Sequence, residues 1–412
     1  MLPVPAELPI GVTPPAHFGS GAVAKLPGIV AAAGGSSVLL VTDAALAATP
    51  VVGTVGSLLT AAGLPVTVFS GVHPNPTTDD LAAGARLASA AADRTSGRPV
   101  VVAVGGGSPI DAAKGIALAA VNPQRGRELG YRSQFAAPAL PLVAVPTTAG
   151  TGAETNAFGV VTDVAASRKF YVGHASTMPA AAILDPDLTV GLPPGATAAT
   201  GMDALTHAVE SYLSVRSNPW SAGIALQVIR MVSEFLPRAV ADGADREARG
   251  QMLLAAHMAG IAMASTGLGA CHAIGHALGG RFDVPHGVAL TMVLPQVLSF
   301  SLPAVSARLA NVAFALGAGS AAAAADANAA AAVEAIAALA VSVGMTQRLA
   351  DFGIGPDDFG QIAADALDDE VLANAPAQPT AADVAAILAA ASGSPLRVET
   401  LGAHSPQSLH PG

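Results

Sequence analysis

The residues with the clearest chemistry fall in two short stretches. Gly201–His207 places Asp203 and His207 four positions apart. Cys271–His276 repeats that spacing with His272 and His276, and Pro285-His286-Gly287 adds one more imidazole. On a helix, side chains at i and i+4 share a face one turn apart. Four of the chain's ten histidines therefore gather with an aspartate. Three imidazoles and one carboxylate make a four-donor set for a divalent cation such as Fe²⁺ or Zn²⁺. A single Asp-x-x-x-His pair is more often a surface pair or a cap. Two such spacings plus a further histidine, set among Gly and Ala rather than other charges, point to metal. His17, His73, His174, His257, His404 and His410 are isolated and read as structural or exposed. Cys271 adjoins His272, but a soft thiolate would break the N/O character of the set. It reads as packing.

A second kind of chemistry lies earlier. Val101–Val104 is an apolar strand candidate, followed by Gly105-Gly106-Gly107-Ser108-Pro109 and a helical pattern. Glycines let the backbone approach a ligand, and a helix N-terminus offers free N–H groups to an anion. Pro109 suits the first helical position and Ser108 suits the cap. The loop fits a pyrophosphate or a plain tight turn; it is not the GxGxxG fingerprint. Pro146–Glu154 is a second loop of hydroxyls and glycines after a strand, fit to hold ribose, phosphate or carboxamide, or simply a Ser/Thr turn. Asp43 ends another strand candidate. There a carboxylate accepts from ribose hydroxyls and repels a 2′-phosphate, favouring NAD over NADP. It is equally a good N-cap for the helix that follows.

These residues need elements to hold them. Strand candidates occur at 38–42, 66–69, 100–104 and 142–145. Helical patterns lie between them at 44–63, 79–92 and 109–121. Such alternation argues for parallel βαβ units, with ligands at the carboxyl ends of the strands. Pro193-Pro194-Gly195 is a break. Beyond it the apolar spacing is helical almost throughout, at 204–213, 221–241, 247–264 and 304–316. The alanine-rich 320–343 segment reads as helix rather than disorder. The expected organisation is an α/β domain with a parallel sheet over 1–191 and an all-helical domain over 192–412. The metal residues fall in the second. A cleft between two domains is a common active site.

Composition narrows the class. The chain has 412 residues, enough for two cores. Only 12% are charged and the net charge is −10, which argues against non-specific nucleic-acid binding. The single cysteine excludes an internal disulfide framework and fits a reducing compartment. Met1–Val12 has three prolines and no Lys or Arg, unlike a secretory signal or transit peptide. No stretch reads as a transmembrane helix: the strongest candidate, Ala321–Val343, is mostly alanine and carries Asp326, Asn328 and Glu334. The 403–412 tail is polar and reads as frayed. A cytoplasmic protein is expected. The low charge points to a homo-oligomer, a dimer or higher.

Taken together, Gly105–Lys114, Pro146–Glu154, Gly201–Tyr212 and His272–Val288 resemble the iron-containing (group III) alcohol dehydrogenases. Pro74-Asn75-Pro76-Thr77 resembles a further element of that family. The motifs run in order from about Val38 to Phe314; the last hundred residues match only as generic helices. The resemblance implies a dehydroquinate synthase-like architecture: an N-terminal dinucleotide-binding α/β domain, a C-terminal helical domain and a metal in the cleft. It implies Asp203, His207, His272 and His286 as ligands, with His276 a non-ligand histidine and candidate proton relay. Gly106, Gly107 and Ser108 correspond to pyrophosphate contacts. Asp43, Asn75, Thr147, Thr148, Thr151 and Lys169 correspond to other cofactor contacts. The implied activity is metal-dependent, NAD(H)-linked hydride transfer between a small primary alcohol or diol and the nicotinamide. The alternatives are a same-fold reductase of an anionic hydroxy acid or phosphonate aldehyde, for which Arg168 and Lys169 are candidate anion contacts, and a dehydroquinate synthase-type lyase. A non-catalytic binding protein of the same fold is a further option.

Overall fold

A computed structural model describes residues 13–95, 97–166 and 168–393. Met1–Val12 and the 403–412 tail, both interpreted above, lie outside the described residues. In chain order the elements are β1 (Ala16–Phe18), α1 (Leu26–Ala32), β2 (Ser37–Asp43), α2 (Ala44–Ala47), α3 (Pro50–Ala61), β3 (Val66–Val72), α4 (Thr78–Thr95), β4 (Pro99–Gly105), α5 (Gly107–Ala119), β5 (Leu142–Pro146), β6 (Phe158–Asp163), β7 (Arg168–Gly173) and β8 (Ala181–Leu184). Helices follow: α6 (Pro194–Leu213), α7 (Pro219–Ala241), α8 (Arg246–Thr266), α9 (Ala270–Phe282), α10 (His286–Ala315), α11 (Ala325–Ser342), α12 (Phe359–Leu367) and α13 (Ala381–Ser392).

Six strands form a parallel sheet in the order β1-β8-β5-β4-β2-β3. Both faces are covered, which is why β2 and β4 are apolar at nearly every position. Val38 and Leu40 pack on one face with Val55 and Leu59 of α3. Leu39 and Val41 pack on the other with Leu81 of α4 and Ile110 and Ile116 of α5. The period-two alternation thus feeds two cores at once. From the adjacent pair β2 and β4 the chain runs in opposite directions, to β3 on one side and β5 on the other. That is the switch point where an open α/β sheet leaves a crevice at its carboxyl edge. Asp43 and Gly105 end the two strands that flank it.

The helical part is a single large apolar cluster. Met202, Leu205 and Val209 of α6 interlock with Val228, Ile229 and Val232 of α7, all buried. Each such side chain contributes about 1.5–3 kcal/mol by leaving water. Truncating Leu205 to Ala removes that term and leaves a cavity, about 2–5 kcal/mol in all.

Several expectations need correction. The 44–63 helix is two helices, because Thr49 caps a new start at Pro50. The helix after the triple glycine begins at Gly107 with Gly106 as its cap residue, so Pro109 is its third residue rather than its first and Ser108 is no cap. Gly105 has φ +150°, and the Cβ of any other residue there would lie 2.5 Å from Pro109 Cγ. That backbone turns the chain into the helix two residues early. The antiparallel β6–β7 hairpin and the short strands β1 and β8 were not anticipated. By length and composition α10 and α11 are apolar enough to cross a membrane, contrary to the sequence-based expectation. The apolar window of α10 is 72% buried inside the fold, so its hydropathy reflects a helix enclosed by neighbours.

Candidate active site

Helix α6 presents Asp203, His207 and Glu210 at i, i+4 and i+7, and all three are buried. Asp203 Oδ1 is the centre of the cluster. His207 Nε2 lies 3.5 Å from it, His286 Nε2 3.7 Å and His272 Nε2 3.8 Å. Three different helices supply these rings: α6 gives His207, α9 gives His272, and His286 opens α10. The close approach of α10 to α6 depends on Gly287. A Cβ there would stand 2.1 Å from the Ala199 carbonyl oxygen. A side chain at 287 would push away the helix start that carries His286.

The electrostatics of this cluster call for a cation. Asp203 Oδ1 and His272 Nε2 are buried and have no hydrogen-bond partner, a costly state for polar atoms. Asp203, His207 and His272 place their donor atoms within 4.8 Å of one another. Burial resists charge on Asp203, yet His207 and the other imidazoles hold its carboxyl well below the usual range. Burial lowers His207 to about 4, so at neutral pH its ring is a neutral donor. Burial also pulls His272 down, but the neighbouring carboxylates of Asp203 and Glu210 outweigh that and raise it to about 9.

Glu210 was not singled out from the sequence. Its carboxylate accepts from Gly269 N at 3.0 Å, Cys271 N at 2.7 Å and His272 Nδ1 at 2.6 Å. Helix α9 has no side-chain cap of its own at Gly269. Glu210 takes that place from across the helix pair and aims the ring of His272 toward Asp203. Cys271 is buried, as expected for packing, with its thiol on the Leu290 carbonyl at 3.6 Å.

The cluster lies in a cleft of about 860 Å³ that also runs past loops of the α/β part. Asn75, Gly107, Ser108, Thr151 and Lys169 line it together with Asp203, His207, His272, His276 and His286. Ser108 Oγ donates to the Pro74 carbonyl, tying the glycine loop to the Pro74–Thr77 turn. Lys169 Nζ donates to Asn75 Oδ1 at 3.0 Å, and Asn75 Nδ2 donates to Asp283 at 3.3 Å in the helical part. Gly107 packs so closely on Thr151 that a Cβ would meet its methyl at 2.8 Å; Gly106 faces Thr148 at 3.1 Å. Thr147 is buried, its amide on the Gly105 carbonyl at 3.0 Å. Asp43 lies outside the residues lining the cleft and caps α2, accepting from Leu46 N at 2.8 Å.

Two further buried groups brace this region. The Lys114 ammonium donates to the carbonyls of Ala153 and Phe158 and to Asn156 Oδ1. It pins the hydroxyl-rich loop and β6 onto α5. Burial lowers Lys114 to about 8. His257, expected to be isolated, pairs with Glu154 at 2.9 Å and ties the same loop to α8.

The profile described as "Iron-containing alcohol dehydrogenase" matches residues 14–186, and "Fe-containing alcohol dehydrogenase family, C-terminal" matches 197–392. The chain belongs to the iron-containing alcohol dehydrogenase family. It is an oxidoreductase of CH–OH groups that uses a nicotinamide acceptor. It is 41% identical over 314 residues, 76% of each chain, to the "Probable alcohol dehydrogenase EutG" of Salmonella typhimurium. It is 34% identical to the "NAD-dependent methanol dehydrogenase" of Bacillus methanolicus, covering 92% of this chain and 98% of that one. The solved structure titled "Crystal structure analysis of 1,3-propanediol oxidoreductase" superposes with a TM-score of 0.87 at 36% identity, covering 95% of this chain and all of that one.

Proposed function

We propose that this dehydrogenase interconverts small primary alcohols or diols and their aldehydes, with Asp203, His207, His272 and His286 holding the metal. The observation that carries this is the convergence of three Nε2 atoms on the orphaned Asp203 Oδ1 at the inner end of the cleft. The donor set accepts Fe²⁺, which the family description favours, and Zn²⁺ as the alternative. When bound, such a cation supplies Lewis acidity toward the substrate oxygen. The nicotinamide supplies the hydride chemistry, and the protein supplies position and charge.

The chain's own residues divide the remaining work. Backbone N–H groups at Gly106–Ser108, where α5 begins, suit the pyrophosphate. Thr147, Thr148, Thr151, Asn75 and Lys169 contact the rest of the cofactor. Asp43 favours NAD over NADP through the ribose, a role compatible with its capping bond. His276 lines the cleft beside His286 and carries the alcohol proton toward solvent. The polar contacts of the two candidate anion-binding residues support an uncharged substrate. Arg168 pairs with Asp368 at 2.7 Å and Lys169 donates to Asn75, contacts that an acidic tail would have to displace.

The same reading includes a homo-oligomer, a dimer or higher, supported by the low share of charged residues. It includes a cytoplasmic location, supported by one buried thiol and no disulfide. It includes no nucleic-acid partner, supported by the net charge of −10, and no membrane, supported by the enclosure of α10. The test is absorbance at 340 nm with NAD⁺ or NADP⁺, a panel of short alcohols and diols, and Fe²⁺ or Zn²⁺ against a chelated control. Metal-dependent NADH formation from an uncharged alcohol supports the reading. Silence on the panel with turnover of an anionic aldehyde refutes the substrate class.

A further inference from the structure

Three consecutive acids, Asp368, Asp369 and Glu370, follow α12, and each engages a different partner. Asp368 accepts from Arg168 of β7 at 2.7 Å, and Glu370 accepts from Arg132 at 3.0 Å. Both partners belong to the α/β part. Between them, Asp369 Oδ2 accepts from His276 Nδ1 of α9 at 2.7 Å. Glu370, Val371 and Asn374 line the cleft just beyond. One short segment therefore touches the nucleotide side twice and the cleft histidine once.

The middle contact differs in kind from the outer two. The side chains of Asp368 and Glu370 are 71% and 70% exposed, whereas that of Asp369 is 17% exposed. Exposed pairs of this sort contribute little stability. Asp369 also accepts from its own segment, at Val371 N, 3.0 Å. Burial works against its charge, but the bond and charge of His276 hold its carboxyl below the usual value. An ionised carboxylate only accepts, so the hydrogen must sit on Nδ1 of His276. That leaves Nε2 as the acceptor of the neutral ring. The ring itself stacks on His286, centroids 5.5 Å apart and planes 19° apart.

We propose that Asp369 is a positioning residue: it sets the ring and tautomer of His276 at the cleft. Asp369 acts through His276 and needs no contact with substrate or cofactor. The proposal rests on the reading of His276 as the proton carrier, and the test separates the two.

The experiment compares Asp369→Ala, Asp369→Asn, Asp369→Glu, His276→Ala and the double variant His276→Ala/Asp369→Ala. All are Zn²⁺- or Fe²⁺-loaded and assayed with NAD⁺ and the best alcohol of the panel. Asp369→Ala is expected to lower kcat about ten- to a hundredfold, with metal content and the KM for NAD⁺ unchanged. Asp369→Glu should recover part of the loss. The double variant should be no slower than His276→Ala, because the two residues act as one unit. In the Zn²⁺ protein, ¹⁵N-histidine spectra should show the His276 tautomer lost or mixed in Asp369→Ala. Asp369→Asn, close to isosteric, keeps the test open if the Ala variant does not fold. Full kcat in Asp369→Ala beside a slow His276→Ala would overturn the role of Asp369 alone. A full-rate His276→Ala would overturn the reading of His276 and the proposal with it. Loss of metal or of NAD⁺ affinity in step with kcat would make Asp369 merely structural and also overturn it.

Discussion

At the inner end of the cleft, Asp203, His207 and His272 are buried on packed helices, and the ring of His272 is oriented by a buried carboxylate, Glu210. At the outer end, Asn75 is exposed, Ser108 and Lys169 are half-buried, and their contacts run between loops and the rim of a sheet. The inner end is largely buried, so an unpaired polar atom there is expensive and a ligand that satisfies it binds tightly. The outer end is wet, so each contact is replaced by water at little cost. The difference teaches where each kind of specificity resides. Under the proposed function, metal choice and chemistry belong to the helical core, and cofactor affinity is spread over many weak contacts.

The sharpest way to break this contrast is to remove an inner donor. His207→Ala is expected to abolish metal loading and lower kcat/KM about a thousandfold or more, since several kcal/mol of charge stabilisation are lost. Metal analysis by mass spectrometry and steady-state kinetics check it together. A smaller effect is expected one step outward. Glu210→Gln keeps the size but cannot accept three N–H donors, and should weaken metal affinity about ten- to a hundredfold. Competition with a chelator of known affinity measures that. Unchanged affinity would mean that His272 needs no help from Glu210.

Much of the inner end was legible in the sequence because its spacing is local. Asp203 and His207 share one helix face, as do His272 and His276. Glu210 lies one turn further along that face but was not singled out, because its partner His272 is 62 residues away and only the tertiary fold joins them. Asp369 is 93 residues from His276, in a segment without periodic signal. The strands 38–42 and 100–104 were read correctly because both of their faces are buried. The hairpin β6–β7 was missed because its two strands are only partly covered and carry polar residues, Thr162-Asp163 and Arg168-Lys169, where they adjoin. β8, Ala181–Leu184, is alanine-rich and has no strand composition of its own; pairing with β5 and β1 makes it a strand.

At the outer end the expected effects shrink. Lys169→Ala removes one part-exposed contact and should raise the KM for NAD⁺ by about tenfold or less, with kcat and metal content unchanged. A fall in metal content in that variant would show that the two ends are not independent. The smallest effect concerns Asp43. Glycine is tolerated at an N-cap at a cost of only a few tenths of a kcal/mol, so Asp43→Gly separates capping from ribose recognition. The ratio of kcat/KM for NAD⁺ over NADP⁺ should fall while the melting temperature barely moves. An unchanged ratio would leave Asp43 with its cap alone.

The most direct test of the account is a metal titration read by turnover. Protein stripped with a chelator and reloaded with Fe²⁺ or Zn²⁺ is assayed for NADH at 340 nm, beside His207→Ala treated identically. Activity is expected to rise with bound metal to one equivalent per chain and to be absent from the variant. Equal NADH formation by stripped protein, or by a metal-free His207→Ala, would contradict it.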